Sequence, residues 1–166
     1  MPSFRRLRVQ ILAVVENPCQ RLGKIQHLHP RGILGFWIWL TLCYQHLDYE
    51  SLEKNVIASN ADKKIIIADS VFSMTGERYD LEKLSRIAKK YGCLLFVDDA
   101  HGFGVTREDG RLFPSSLNGI RKDKVKIDAY IGTFGKAIGT FGAFVCGSKS
   151  LIELLVQKSK PYIYYS

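Results

Sequence analysis

The chain has 166 residues, long enough for one domain with a reasonable core. Apolar residues make up 46% and charged residues 24%, an ordinary globular balance. The net charge of +8 is spread over small clusters at Arg5-Arg6-Leu7-Arg8, Lys63-Lys64, Lys89-Lys90 and the stretch from Arg121 to Lys126. No run reads as a nucleic-acid tail, and a basic balance suits an anionic small partner.

The N-terminal stretch is helix-compatible from Leu7 to Val15, followed by Pro18, Pro30 and an apolar run from Ile33 to Cys43. That run falls short of the roughly 20 residues a bilayer span needs, and no small-x-small cleavage site follows the basic start. A membrane protein is not expected. The four cysteines, Cys19, Cys43, Cys93 and Cys146, form no Cys-x-x-Cys pair, and His27 and His29 have no third ligand nearby. No metal is expected. Cys93 and Cys146 lie in or beside apolar runs and are expected as buried thiols. A reducing, cytoplasmic setting fits these cysteines.

Asp48 leads a short helix over about 49–56. Ile65-Ile-Ile-Ala68 is a β-branched run, predicted as a buried parallel strand ending at Asp69. A loop follows, Ser70 to Gly76. Asp80 is placed to cap a helix over 81–91, whose Leu81, Leu84, Ile87, Ala88 and Tyr91 share one face. Gly92 supplies the stop, and Leu94 to Val97 forms the next strand. A strand, helix and strand of these lengths make a parallel crossover. Residues Arg107 to Lys126 are turn-rich and predicted as a surface connection. Ile127 to Gly132 and Gly142 to Cys146 are predicted strands. A helix runs to about Lys158 with Leu151, Ile152, Leu155 and Val156 facing inward, and Tyr162 to Ser166 is extended.

Between those last two strands lies Gly132-Thr-Phe-Gly-Lys-Ala-Ile-Gly-Thr-Phe-Gly142. Lys136 has no carboxylate within five positions, and Phe134, Ile138 and Phe141 are candidates to exclude water from it. A desolvated amine loses its proton more readily, and the neutral amine is the nucleophile of Schiff-base chemistry. The same pattern also fits a solvated lysine in a glycine-rich loop. A second chemical stretch is Val97-Asp-Asp-Ala-His-Gly-Phe-Gly104, with Asp98 and His101 three apart. In an open α/β sheet, ligands bind at the carboxyl ends of strands, where Asp69 and Asp98 both fall.

These two stretches, with Asp69-Ser-Val-Phe-Ser-Met-Thr-Gly76 and Tyr162-Ile-Tyr-Tyr-Ser166, resemble in order and spacing the α-oxoamine synthases, and most of all the biotin-pathway branch. The similarity runs from about Tyr44 to Ser166; residues 1–43 carry no match. It implies an α/β fold, namely part of the large domain of fold type I transferases that use pyridoxal 5′-phosphate (PLP), with a mostly parallel sheet flanked by helices. The family's C-terminal small domain lies outside these residues. The resemblance implies that Lys136 forms the Schiff base with PLP and that Asp98 pairs with its ring nitrogen. A carboxylate ~4 Å from that nitrogen gains ~4 kcal/mol at an effective dielectric of ~20, about three pKa units in favour of the charged ring. It further implies that His101 contacts the phenolic oxygen and Thr133 the phosphate. Asp69 stands where the biotin enzyme commonly has Glu, Asp99 is expected behind the site, and Ser73 and Ser166 fall near substrate and phosphate. Leu47 interrupts a segment that often reads His-Asn-Asp.

The activity implied is acyl transfer in a homodimer: L-alanine condenses with pimeloyl-CoA or a pimeloyl carrier protein, releasing CoA and CO2. A sibling branch joins glycine to acetyl-CoA. The alternative expectation is a truncated remnant without turnover.

Overall fold

A computed structural model describes residues 11–16, 39–105 and 125–158. The expected connection over 107–126 lies almost wholly outside these residues, as do Cys19, His27, His29 and the segment from Tyr162 to Ser166. The chain divides into two compact units, residues 1–67 with 87–94 and residues 68–86 with 95–166.

In the first unit, β1 (Ile11–Glu16) lies between two parallel partners. Ile11 is in register with Trp39 of β2 (Trp39–Tyr44) and with Lys63 of β3 (Lys63–Asp69). The helix-compatible stretch at Leu7–Val15 is thus a strand from Ile11 onward. Ile11, Val14 and Val15 are β-branched, and parallel partners on both sides satisfy the backbone amides and carbonyls, which outweighs a local helical pattern. Helix α1 (Tyr49–Ala58) connects β2 to β3. Asp48 caps it, accepting from the Glu50 and Ser51 amides at 2.9 Å. Its Leu52 and Val56 are fully buried. Just before the cap, Leu47 has φ +53°, the one positive φ of a non-glycine among the described residues. Asparagine tolerates that conformation and leucine does not.

Helix α2 (Leu81–Lys90) starts on Asp80, whose carboxylate accepts from the Lys83 amide at 2.9 Å. It stops where Gly92 turns to φ +64°, with the Cys93 amide reaching back to the Ala88 carbonyl and the Gly92 amide to Lys89. That pattern is the Schellman C-cap, which glycine adopts without strain. Leu81, Leu84, Ile87 and Ala88 are buried, the apolar face expected from their spacing.

The second unit is built on β4 (Leu94–Asp98), β5 (Ala129–Thr133) and β6 (Ala143–Gly147). β4 and β5 are parallel, with Asp98 in register with Ile131. β6 returns antiparallel, Thr133 opposite Ala143. Leu95 and Val97 are fully buried. The Asp128 side chain accepts from the Leu95 amide at 2.9 Å, and the Ser85 hydroxyl accepts from the Lys126 amide at 2.8 Å; together they tie down the entry to β5. Helix α3 (Lys149–Lys158) closes the described chain. Its expected inward face is covered in its first half only: Leu151 and Ile152 are half-buried, whereas Leu155 and Val156 are exposed and no α3 residue is fully buried. Cys146 on β6 is likewise an exposed thiol, not the buried one its apolar neighbours suggested, whereas Cys93 is buried. In both places the apolar run is real, but the described residues cover it only in part.

Candidate functional site

The site lies wholly in the second unit, at the carboxyl ends of its parallel strands. Asp98 ends β4 and Thr133 ends β5, while Asp69 ends the strand that leads into this unit. Beyond Asp98 the chain makes a tight turn. The Asp98 carboxylate accepts from the Ala100 amide at 2.9 Å, and the Asp99 carbonyl accepts from Gly102 and Phe103. This turn delivers His101. Beyond Thr133 the chain loops through Lys136 and returns into β6. The Phe134 amide donates to Gly142 and the Thr140 amide to Phe134, each at 2.9 Å, and Gly139 takes φ +71°.

The two loops meet. Lys136 Nζ lies 2.5 Å from His101 Nε2, bringing together two residues 35 apart in sequence. Phe103 packs edge-on against Phe144 at 4.8 Å and against Phe134 at 6.0 Å. Glycine is needed where the two loops approach and again where β5 pairs with β6. A Cβ at Gly104 would sit 2.5 Å from Ile138 Cδ1, and one at Gly132 would sit 2.4 Å from the Phe144 ring. Phe103 and Phe144 were not singled out in the sequence; the signal for Phe103 is its place between Gly102 and Gly104, and Phe144 on β6 carries none.

Asp69 is exposed as a residue, yet loss of solvent around its carboxyl raises its pKa, and the negative charge of Asp98 raises it further. His101 and Lys136 pull in the opposite direction without overcoming this. Asp69, Asp98, His101 and Lys136 therefore share one electrostatic neighbourhood. The Thr133 hydroxyl donates to the Gly142 carbonyl at 3.1 Å and accepts from the Gly135 amide at 3.2 Å, so it braces the lysine loop. Ser73 is on an exposed loop, and Ser166 lies outside the described residues.

Lys136 itself is exposed. Of the residues expected to exclude water, Phe141 is 99% exposed and Ile138 is exposed, while Phe134 turns into the cluster with Phe103 and Phe144. Within the described residues, the lysine is positioned by its loop and by His101 but is not dried.

The donor set suits a particular group. An amine can bond an aldehyde carbon, an imidazole beside it can exchange a proton, and the carboxylate of Asp98 can hold a cationic ring nitrogen. PLP presents both an aldehyde and such a nitrogen, so this donor set fits it.

Residues 40–166 match the family model for aminotransferase class I and II, and the chain belongs to that family. Among curated proteins it is similar to the 8-amino-7-oxononanoate synthases. That of Nitrosococcus oceani is 43% identical over 121 residues, which are 73% of this chain and 31% of the relative. That of Saccharophagus degradans is 46% identical over the same length, 30% of the relative. The chain thus spans about a third of the length of these relatives. Among solved structures, a lysine-to-alanine variant of serine palmitoyltransferase from S. paucimobilis with a bound PLP–myriocin aldimine aligns with a TM-score of 0.68 at 24% identity, covering 92% of this chain and 36% of that one. The 8-amino-7-oxononanoate synthase of Francisella tularensis aligns with a TM-score of 0.58 at 24% identity, covering 93% and 41%. These likenesses show the fold: a mostly parallel sheet flanked by helices, part of fold type I of the PLP-dependent enzymes.

Proposed function

We propose that this chain carries the lysine-bearing part of a PLP-dependent acyltransferase site of the biotin branch. The reaction condenses L-alanine with pimeloyl-CoA, or a pimeloyl carrier protein, to 8-amino-7-oxononanoate with release of CoA and CO2. The observation that carries it is the 2.5 Å approach of Lys136 Nζ to His101 Nε2 on the loop that follows Asp98. Identity of 43–46% to synthases of that name supports the branch.

PLP, when bound, supplies the electron sink. The residues of this chain supply the rest. Lys136 Nζ binds the cofactor and, when free, moves a proton at the same atom. His101 Nε2 is within range to exchange that proton. The Asp98 carboxylate holds positive charge on the cofactor ring, and Asp69 adds a second carboxyl beside it, its pKa raised by loss of solvent and then by Asp98. Thr133 and the glycine-rich loop bear on the phosphate. The basic balance of the chain favours an anionic acyl donor. A homodimer in the cytoplasm completes the proposal.

A second reading is favoured by the exposure of Lys136 and Phe141: the chain takes up PLP on Lys136 without turnover. Alanine and pimeloyl-CoA, with CoA release followed, separate the two. Release supports the enzyme, and PLP uptake without release supports the remnant. Release with glycine and acetyl-CoA alone moves the chain to the sibling branch. Asp98→Asn is expected to abolish release and to weaken PLP binding at least tenfold; unchanged binding and turnover would remove Asp98 from the site.

A further inference from the structure

Directly behind the site lies a polar group that the chemistry above does not use. Asp99 is 0% exposed, although a carboxylate is among the costliest side chains to bury without partners. Its partners come from the end of β3 and from within β5. The Ser70 hydroxyl, one residue past β3, donates to one carboxylate oxygen, and the Tyr130 hydroxyl, from β5, donates to the other. Ser70 is also fully buried. Burial, and then the bond to Asp99, push the Tyr130 phenol well above its usual range, so it remains a donor throughout the physiological pH range.

The backbone repeats the connection. The Ser70 amide donates to the Asp98 carbonyl and the Asp99 amide to the Ile131 carbonyl, each at 2.8 Å. The Asp99 carbonyl then closes the turn by accepting from Gly102 and Phe103. Asp98 precedes this residue and His101 follows two positions later. Asp98, at the end of β4, and His101, which meets Lys136, are thus mounted on a turn whose pivot is Asp99.

We propose that Asp99 is a positioning residue: held by the Ser70 and Tyr130 hydroxyls, its buried carboxylate fixes the 98–101 turn and so holds His101 against Lys136 and Asp98 at the end of β4. Hydrogen bonds to a charged acceptor are the stronger kind and leave a large penalty when one partner is removed. Loss of one hydroxyl therefore loosens this turn first, not the whole fold.

The test uses the full chain with Tyr130→Phe and Ser70→Ala, and Asp99→Asn if it folds. Amide hydrogen exchange is read at Asp99, Gly102 and Phe103, with the buried Leu52 and Val56 of α1 as remote reporters. Exchange at 99–103 is expected to rise about tenfold or more in Tyr130→Phe while the α1 amides stay unchanged. In the same variant the dissociation constant of PLP is expected to rise about tenfold, and the pH profile of the bound cofactor's visible absorbance to move. Equal acceleration at both places, or none at 99–103, overturns the proposal. Faster exchange with unaltered cofactor affinity and pH profile reduces Asp99 to a merely structural role and also overturns it. The cofactor arm rests on the proposed function. If the unmodified chain takes up no PLP, that function falls, and the exchange arm alone decides whether Asp99 holds the turn.

Discussion

Two apolar stretches of this chain meet different fates. From Ile65 to Val97 the pattern is largely fulfilled: Ile66, Leu84, Leu95 and Val97 are fully buried and Leu81 nearly so, while Met74 and Leu94 stay exposed. From Phe141 to Val156 a comparable density of apolar residues stays open, with Phe141 99% and Leu154 52% exposed and Val145, Leu155 and Val156 also exposed. Both stretches contain well-formed strands and helices. The difference teaches that an apolar stripe states which face needs cover, while cover depends on a second layer that the same residues need not provide.

The largest effect that would break this comparison is a pair of truncations. Leu84→Ala, in the buried stretch, is expected to cost about 2–5 kcal/mol in urea denaturation. Leu154→Ala, in the open one, is expected to stay within about 0.5 kcal/mol. Equal costs would mean that α3 is packed as firmly as α2.

Most of the fold is legible from local chemistry. Asp48 and Asp80 mark helix starts, Gly92 marks a helix stop, and the Ile65–Ile67 run marks a buried strand. The β1 strand is not legible, because its conformation is set by β2 and β3, which lie far along the sequence. The site is legible in part. Lys136, Asp98 and His101 stand out as motifs, and the meeting of the lysine with the histidine is a long-range fact that only the folded chain contains. The clamp on Asp99 is hidden for the same reason: Ser70 and Tyr130 are ordinary residues in the sequence and become partners only through strand order.

Next in size is the glycine that lets β5 lie against Phe144 of β6. Gly132→Ala is expected to cost about 1–3 kcal/mol, because the Phe144 ring occupies the position of the added carbon. The accompanying change is a weaker near-ultraviolet circular dichroism signal from the Phe103, Phe134 and Phe144 cluster. No loss of stability would show that the ring moves aside freely.

Leu47→Asn should act in the opposite direction. It relieves a positive φ on a branched apolar residue and is expected to stabilise the chain by about 1 kcal/mol in the same denaturation assay. A loss instead would mean that the leucine side chain contributes more by packing than its backbone costs.

The smallest effect is one of pH. The Asp69 carboxyl has a folded pKa above its ordinary 3.8, so between those values the folded chain holds a proton that the unfolded chain has released. Stability therefore falls as pH rises through that window and then levels off. Asp69→Asn should remove this slope, seen as a urea midpoint that gains on the parent chain as pH rises from about 3 to about 7. Parallel midpoints across that range would show that Asp69 is not shifted.

What stands or falls most directly is the identity of the lysine that meets the aldehyde. Incubation with PLP, borohydride reduction and peptide mass spectrometry reads it without need of turnover. The expected result is a pyridoxyl group concentrated on Lys136 and sharply reduced in Asp98→Asn. Labelling spread evenly over the exposed lysines, and indifferent to that substitution, would contradict it.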